Sequence, residues 1–196
     1  LINILKKINK KKNILYILLG DNFYPLGINN KNALNNIEQK FKKIFNNNTI
    51  YALLGNHDYS GDPSLQINAP FWNMPNYFYF KIINNIGCWF INTQIFDPGN
   101  SDDENMFLNL YSKINEVHEN YLEIFNIQLK WLENSLEENK KLENKLIFGH
   151  YPIISAGIYE KNDKLYSVLI KYFYKYNINA YISGHDHNLQ HLQMKI

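Results

Sequence analysis

Ile14-Leu15-Tyr16-Ile17-Leu18-Leu19-Gly20-Asp21-Asn22-Phe23-Tyr24 is the stretch from which the fold can be read. Its first six residues form a short apolar run without polar alternation, the pattern of a strand buried on both faces. The run stops at a glycine, and a carboxylate follows at once. The same order returns three more times. Residues 49–54 stop at Gly55 and deliver Asn56 and His57; residues 145–148 stop at Gly149 and deliver His150; residues 180–182 lead through Ser183 and Gly184 to His185 and His187. Ligands of open α/β sheets gather beyond the carboxyl ends of the strands. Glycine lets the chain turn sharply there while the next side chain faces the crevice.

Working outward, residues 32–45 have helical spacing through Leu34, Ile37, Phe41, Ile44 and Phe45. Residues 128–142 place Leu129, Leu132 and Leu136 on one face, and residues 163–176 read as a further helix. Residues 77–83 and 88–92 read as two strands joined by a turn at Asn84-Asn85. The lysine-rich residues 2–12, with Ile4, Leu5 and Ile8, have the spacing of an amphipathic helix, and residues 189–196 read as one more strand. Strands alternating with helices predict an α/β layered fold, a single domain over residues 1–196.

Composition narrows the function classes. The 196 residues are 45% hydrophobic, enough for one core. A formal net charge of +2 calls for neither a nucleic-acid nor a membrane partner, and no apolar stretch approaches the ~18 residues of a membrane span. All basic residues are lysine, and about one residue in six is asparagine, a bias read as codon composition. Asn29-Asn30 and residues 46–48 sit in connections, where asparagine tolerates turn geometry. Cys88 is the single cysteine and lies in an apolar run, so no intrachain disulfide forms and a buried small hydrophobe is expected.

The residues delivered by the four strand ends are carboxylate, amide oxygen and imidazole, a mixture that suits iron, manganese or zinc. Four of the six histidines fall at these places. Taken singly, each has a plainer reading: Asp21 as a cap, Asn56-His57-Asp58 as a turn, His150 as a satisfied core histidine. Repetition in the same strand-end context is what favours a metal centre. His118, between Glu116 and Glu119, reads as solvated, and His191 lacks the strand-end context.

The motifs Gly20-Asp21-Asn22-Phe23-Tyr24, Gly55-Asn56-His57-Asp58, Gly149-His150-Tyr151-Pro152 and Gly184-His185-Asp186-His187-Asn188-Leu189-Gln190 resemble those of the purple acid phosphatases of the tartrate-resistant type. That group lies within the calcineurin-like metallophosphoesterases. Weaker similarities lie at residues 99–103 and 128–132. The resemblance implies a layered αββα sandwich and a binuclear acid phosphatase hydrolysing phosphate monoesters through a metal-bound hydroxide. It implies that Asp21 bridges two metals and that Tyr24 and His187 bind Fe(III). Asn56, His150 and His185 would bind a divalent metal, Fe(II), Zn or Mn. His57 would be the catalytic residue, facing the phosphate together with Asn56 and assisting the leaving group. Small phosphate esters or phosphoproteins are the implied substrates, in a secretory or vesicular compartment. The acidic segment 97–104 corresponds to a loop overhanging the site. Phosphodiester or nucleotide hydrolysis on the same fold is an alternative, against which Tyr24 speaks; a non-catalytic scaffold is another.

The chain departs from that pattern at both ends. A Gly-Asp-x-Gly motif expected upstream of Asp21, and the further strands expected well past the Gly184-His185-Asp186-His187 motif, are not in it. The expectation is therefore a chain truncated at both ends, with the ferric site one carboxylate short. In isolation such a chain is expected to be poorly stable and weakly active.

Overall fold

The structure, a computed structural model, describes residues 14–46, 48–96 and 120–193. The expected helix at residues 2–12, the acidic segment 97–104 and His118 lie outside them. Strands β1 (Leu15–Leu19) and β2 (Thr49–Leu53) pair in parallel in one sheet. A second sheet runs in the order β3 (Tyr79–Ile83), β4 (Ile86–Phe90), β5 (Asn144–Gly149), β6 (Ala180–Ser183). Its first pair is antiparallel and the rest parallel. The helices are α1 (Lys31–Phe45), the single turn α2 (Asn56–Tyr59), α3 (Tyr121–Glu138) and α4 (Asp163–Tyr176).

The two sheets face each other through aromatic rings. Tyr79, Phe90 and Phe148 sit opposite one another across β3, β4 and β5, with ring centroids 4.5 and 4.9 Å apart and nearly parallel planes. Tyr51 of β2 stacks on Phe90 at 5.7 Å, and the Tyr79 hydroxyl donates to the Ala52 carbonyl at 2.7 Å. The outer face of β4 points the other way: the Trp89 indole N–H donates to Ser135 Oγ of α3 at 2.9 Å. With Gly87 through Phe90 all buried, β4 is covered on both faces, as its unbroken apolar run requires. Helix α1 covers the first sheet's outer face, where Phe45 meets Tyr16 at 4.9 Å. Helices α3 and α4 lie together, joined at the surface by Lys175 and Glu133. The layers are thus helix, sheet, sheet, helices, the expected sandwich. Cys88 is buried, and no helix among the described residues is long and apolar enough to cross a membrane.

Local chemistry explains most boundaries. Asn30, Asn120 and Asn162 cap α1, α3 and α4, each accepting a backbone N–H three residues on. Asn46 and Asn177 close α1 and α4 in the left-handed region, at φ 51° and 53°. Asn84 and Asn85, at φ 50° and 65°, form the two-residue hairpin turn between β3 and β4. Helix α3 starts earlier and ends earlier than the expected 128–142, because Asn120 caps its start and Asn139 its end. The strand expected at 189–196 is corrected: residues 189–193 adopt no strand. A strand needs a neighbour to receive its backbone bonds, and among the described strands β6, the element before this segment, pairs only with β5.

Candidate metal centre

The carboxyl ends of β1, β2, β5 and β6 converge, and glycine is what allows the approach. A Cβ added to Gly55 would lie 2.3 Å from Asp21 Oδ1 and 2.7 Å from His150 Cε1. One added to Gly20 would lie 2.6 Å from His150 Nδ1. Beyond these glycines the backbone is held in an uncommon form: Asp21, His185 and His187 have φ of 52°, 65° and 51°. A left-handed residue with a side chain costs roughly 1–2 kcal/mol, and such positions cluster where side chains must be aimed.

All seven residues singled out from the sequence come together. Ligand atoms of Asp21, His150 and His185 lie within 4.8 Å of one another. The Tyr24 hydroxyl sits between Asp21 Oδ2 at 2.7 Å and His187 Nε2 at 2.8 Å. Asn56 Oδ1 is 3.0 Å from His150 Nε2, and the His57 backbone N–H donates to Asp21 Oδ1 at 2.9 Å.

His150 tests whether a cation suits these residues. It is buried, and its Nδ1–H donates to the Leu19 carbonyl at 2.7 Å, since a carbonyl only accepts. Its Nε2 then faces Asn56 Oδ1 at 3.0 Å, His185 Nδ1 at 3.1 Å and Asp21 Oδ2 at 3.4 Å. Two oxygens and two ring nitrogens converging at these distances need a proton or a cation among them. A carbonyl bonded to the far ring nitrogen is the usual way a metal-binding histidine is oriented.

The charges point the same way. Burial disfavours the ionised Asp21 carboxyl, but the bond and charge of His150, then Tyr24 and the His57 N–H, hold it well below the usual carboxylate range. Burial first, and His150 next, push the His185 imidazole down to about 4, so it stays neutral and able to ligate. Burial and then Asp21 push the Tyr24 phenol up to about 12. A cation beside that oxygen acts in the opposite sense, because its charge stabilises the phenolate.

His57 is tethered differently. Its Nδ1–H donates to the Pro25 carbonyl at 2.8 Å, Nε2 has no hydrogen-bond partner among the described residues, and its ring lies 4.3 Å from that of Tyr24. Two further aromatic groups flank the centre: the rings of Tyr151 and Tyr159 lie 4.7 and 4.2 Å from His185. Nothing marks Tyr159 among 15 tyrosines in the sequence. Asp186, between two site histidines, instead takes hydrogen bonds from Ser155 and Gln190. His191 is exposed.

The family model for calcineurin-like phosphoesterases matches residues 1–189. Tartrate-resistant acid phosphatase type 5 of Oryctolagus cuniculus is 34% identical over 190 residues, covering 89% of this chain and 55% of that protein. The protein of the same name from Homo sapiens is 32% identical with the same coverage. Purple acid phosphatase 17 of Arabidopsis thaliana is 26% identical over 203 residues, covering 95% of this chain and 56% of its own. The chain thus spans about half the length of these curated relatives. Among solved structures, GAP50, the anchor in the inner membrane complex of Plasmodium, superposes with a TM-score of 0.64 at 20% identity. It covers 93% of this chain and 59% of its own.

Proposed function

This chain belongs to the calcineurin-like phosphoesterase family, and from that premise we propose that it is the metal-binding part of an acid phosphatase acting on phosphate monoesters. The observation that carries the reading is the crowding of two oxygens and a ring nitrogen around His150 Nε2, beside a tyrosine hydroxyl shared between Asp21 and His187. Asp21 would bridge two cations. Asn56, His150 and His185 would complete a site for a divalent ion, iron, zinc or manganese. Tyr24 and His187 would serve a ferric ion, for which a phenolate oxygen is a suitably hard donor. When bound, such cations supply Lewis acidity that polarises a phosphoryl group and acidifies water.

The chain's own residues do the rest. Asp21, already anionic, holds the two halves of the centre together. His57, fixed through Pro25, presents Nε2; in its imidazolium form it donates that proton to the departing alkoxide. Asn56 and His57 face the phosphate. The likeness to the Plasmodium anchor is one of fold and brings no anchoring role here.

The test uses metal-replete protein of full length against an aryl phosphate monoester, from acidic to neutral pH. Release of phosphate with an acidic optimum, faster than from the corresponding diester, is expected. Faster diester cleavage would instead favour a phosphodiesterase, and no turnover would favour a scaffold. Iron-loaded protein should absorb in the visible through Tyr24, and Tyr24→Phe should lose that band while the fold is retained.

A further inference from the structure

Asp58 is completely buried at 0% exposure. Its carboxylate accepts the Gly55 backbone N–H at 2.9 Å, the Asn22 backbone N–H at 3.1 Å to each oxygen, the Asn22 side-chain amide at 3.3 Å and the Gln66 amide at 3.0 Å. Every donor is neutral. A buried carboxylate answered only by dipoles is costly, and capping the single turn α2 through Gly55 would need just one of these bonds. Three of the others reach 36 residues away to Asn22, the neighbour of Asp21, and one comes from Gln66. Asp58 therefore ties two turns to each other, one carrying Asp21 and Tyr24, the other Asn56 and His57. Gln66 braces the knot, accepting from the Asn22 amide at 3.3 Å, and the same amide donates to the Leu53 carbonyl at 2.9 Å.

We propose that Asp58 is a positioning residue of the metal centre: by clamping the turn after β1 to the turn after β2, it sets the spacing between Asp21 and Asn56. The inference rests on the metal reading above. Asp58 is not itself one of the residues that would hold a metal. A second carboxylate behind Asp21 also deepens the negative potential that a cation would enter.

The experiment measures Mn2+ binding to the full-length protein by titration, with the electron paramagnetic resonance spectrum of the bound ion as the report on geometry. Asp58→Asn keeps the shape but turns one acceptor into a donor facing N–H groups. It is expected to weaken Mn2+ binding by about 10- to 100-fold and to alter the spectrum of what remains bound. Ser135→Ala, which removes the partner of the Trp89 indole on the outer layer, controls for stability and should bind Mn2+ as the wild type does. If Asp58→Asn does not fold, Asn22→Ala removes one arm of the clamp and should weaken binding in the same direction. Unaltered binding and spectrum in the folded clamp variant, or equal weakening by Ser135→Ala, would overturn the inference alone. Failure of the wild type to bind Mn2+ would overturn the metal reading and the inference with it.

Discussion

His57 and His150 are each fastened through Nδ1 to a backbone carbonyl, yet they differ in what surrounds Nε2. Around His150 it is two oxygens and a ring nitrogen; at His57 no hydrogen-bond partner lies among the described residues. The two substitutions should therefore separate chemistry from metal binding. His57→Ala should lower kcat by about 10²- to 10⁴-fold, the usual range for a lost general acid, with metal content retained. His150→Ala should lower metal content itself, read by elemental analysis after gel filtration. Equal metal stoichiometry in the two variants would refute the division of roles. These histidines were legible in the sequence because each follows an apolar run and a glycine. Tyr159 was not, because its approach to His185 depends on how the connection between β5 and α4 folds back.

At the scale of the element, strand ends and helix caps are made from small polar vocabulary. Gly55→Ala tests the strand ends. The new methyl would sit against Asp21 Oδ1 and His150, so metal affinity should fall and the fold should lose about 1–3 kcal/mol, measured by denaturant unfolding with and without metal. Asn162→Ala tests the caps. Losing the bond to the Leu165 N–H should cost about 1 kcal/mol, visible as a lower Tm with metal affinity unchanged. The asparagine bias of the chain thus carries a structural consequence: caps and left-handed turns fall where asparagine is tolerated. The hairpin turn at Asn84-Asn85 and the starts of α1 and α4 were readable from that chemistry and from periodicity. The start of α3 was not, since the apolar residues before Leu129 are spread round the helix: Ile124 is buried whereas Leu122 and Ile127 are exposed.

For the whole molecule, the site and the fold share one electrostatic account. In the metal-free protein His185 is held neutral down to about 4, whereas unfolded histidine titrates near 6.5. Between those values the unfolded chain binds the proton and the folded chain does not. Stability is therefore lost as pH falls from about 6.5 towards 4. Asp21 adds a later loss: its depressed carboxyl contributes stability above the ordinary carboxylate value, and that contribution disappears only at still lower pH. Chelator-treated protein should accordingly melt at a lower temperature at pH 4.5 than at pH 7. His185→Asn should flatten that difference, and Mn2+ at neutral pH should raise the wild-type Tm by binding the folded state alone. A Tm independent of pH over this window would contradict the burial of His185 described here.

Order along the chain was enough to determine the strands, the glycine stops and the residue types delivered after them, because periodicity and turn chemistry act over a few neighbouring residues. Family resemblance carried by those motifs added the sandwich and the roles proposed for the ligands. Distance in space was decided only by the tertiary structure: which sheet each strand joins, the stacking of Tyr51 on Phe90, the pairing of Tyr24 with His187 across 163 residues, and the clamp from Asp58 to Asn22. The absence of a strand at residues 189–193 belongs there too. Such contacts depend on packing two faces against each other, and a residue's own neighbours in the chain hold no record of which distant surface will meet it.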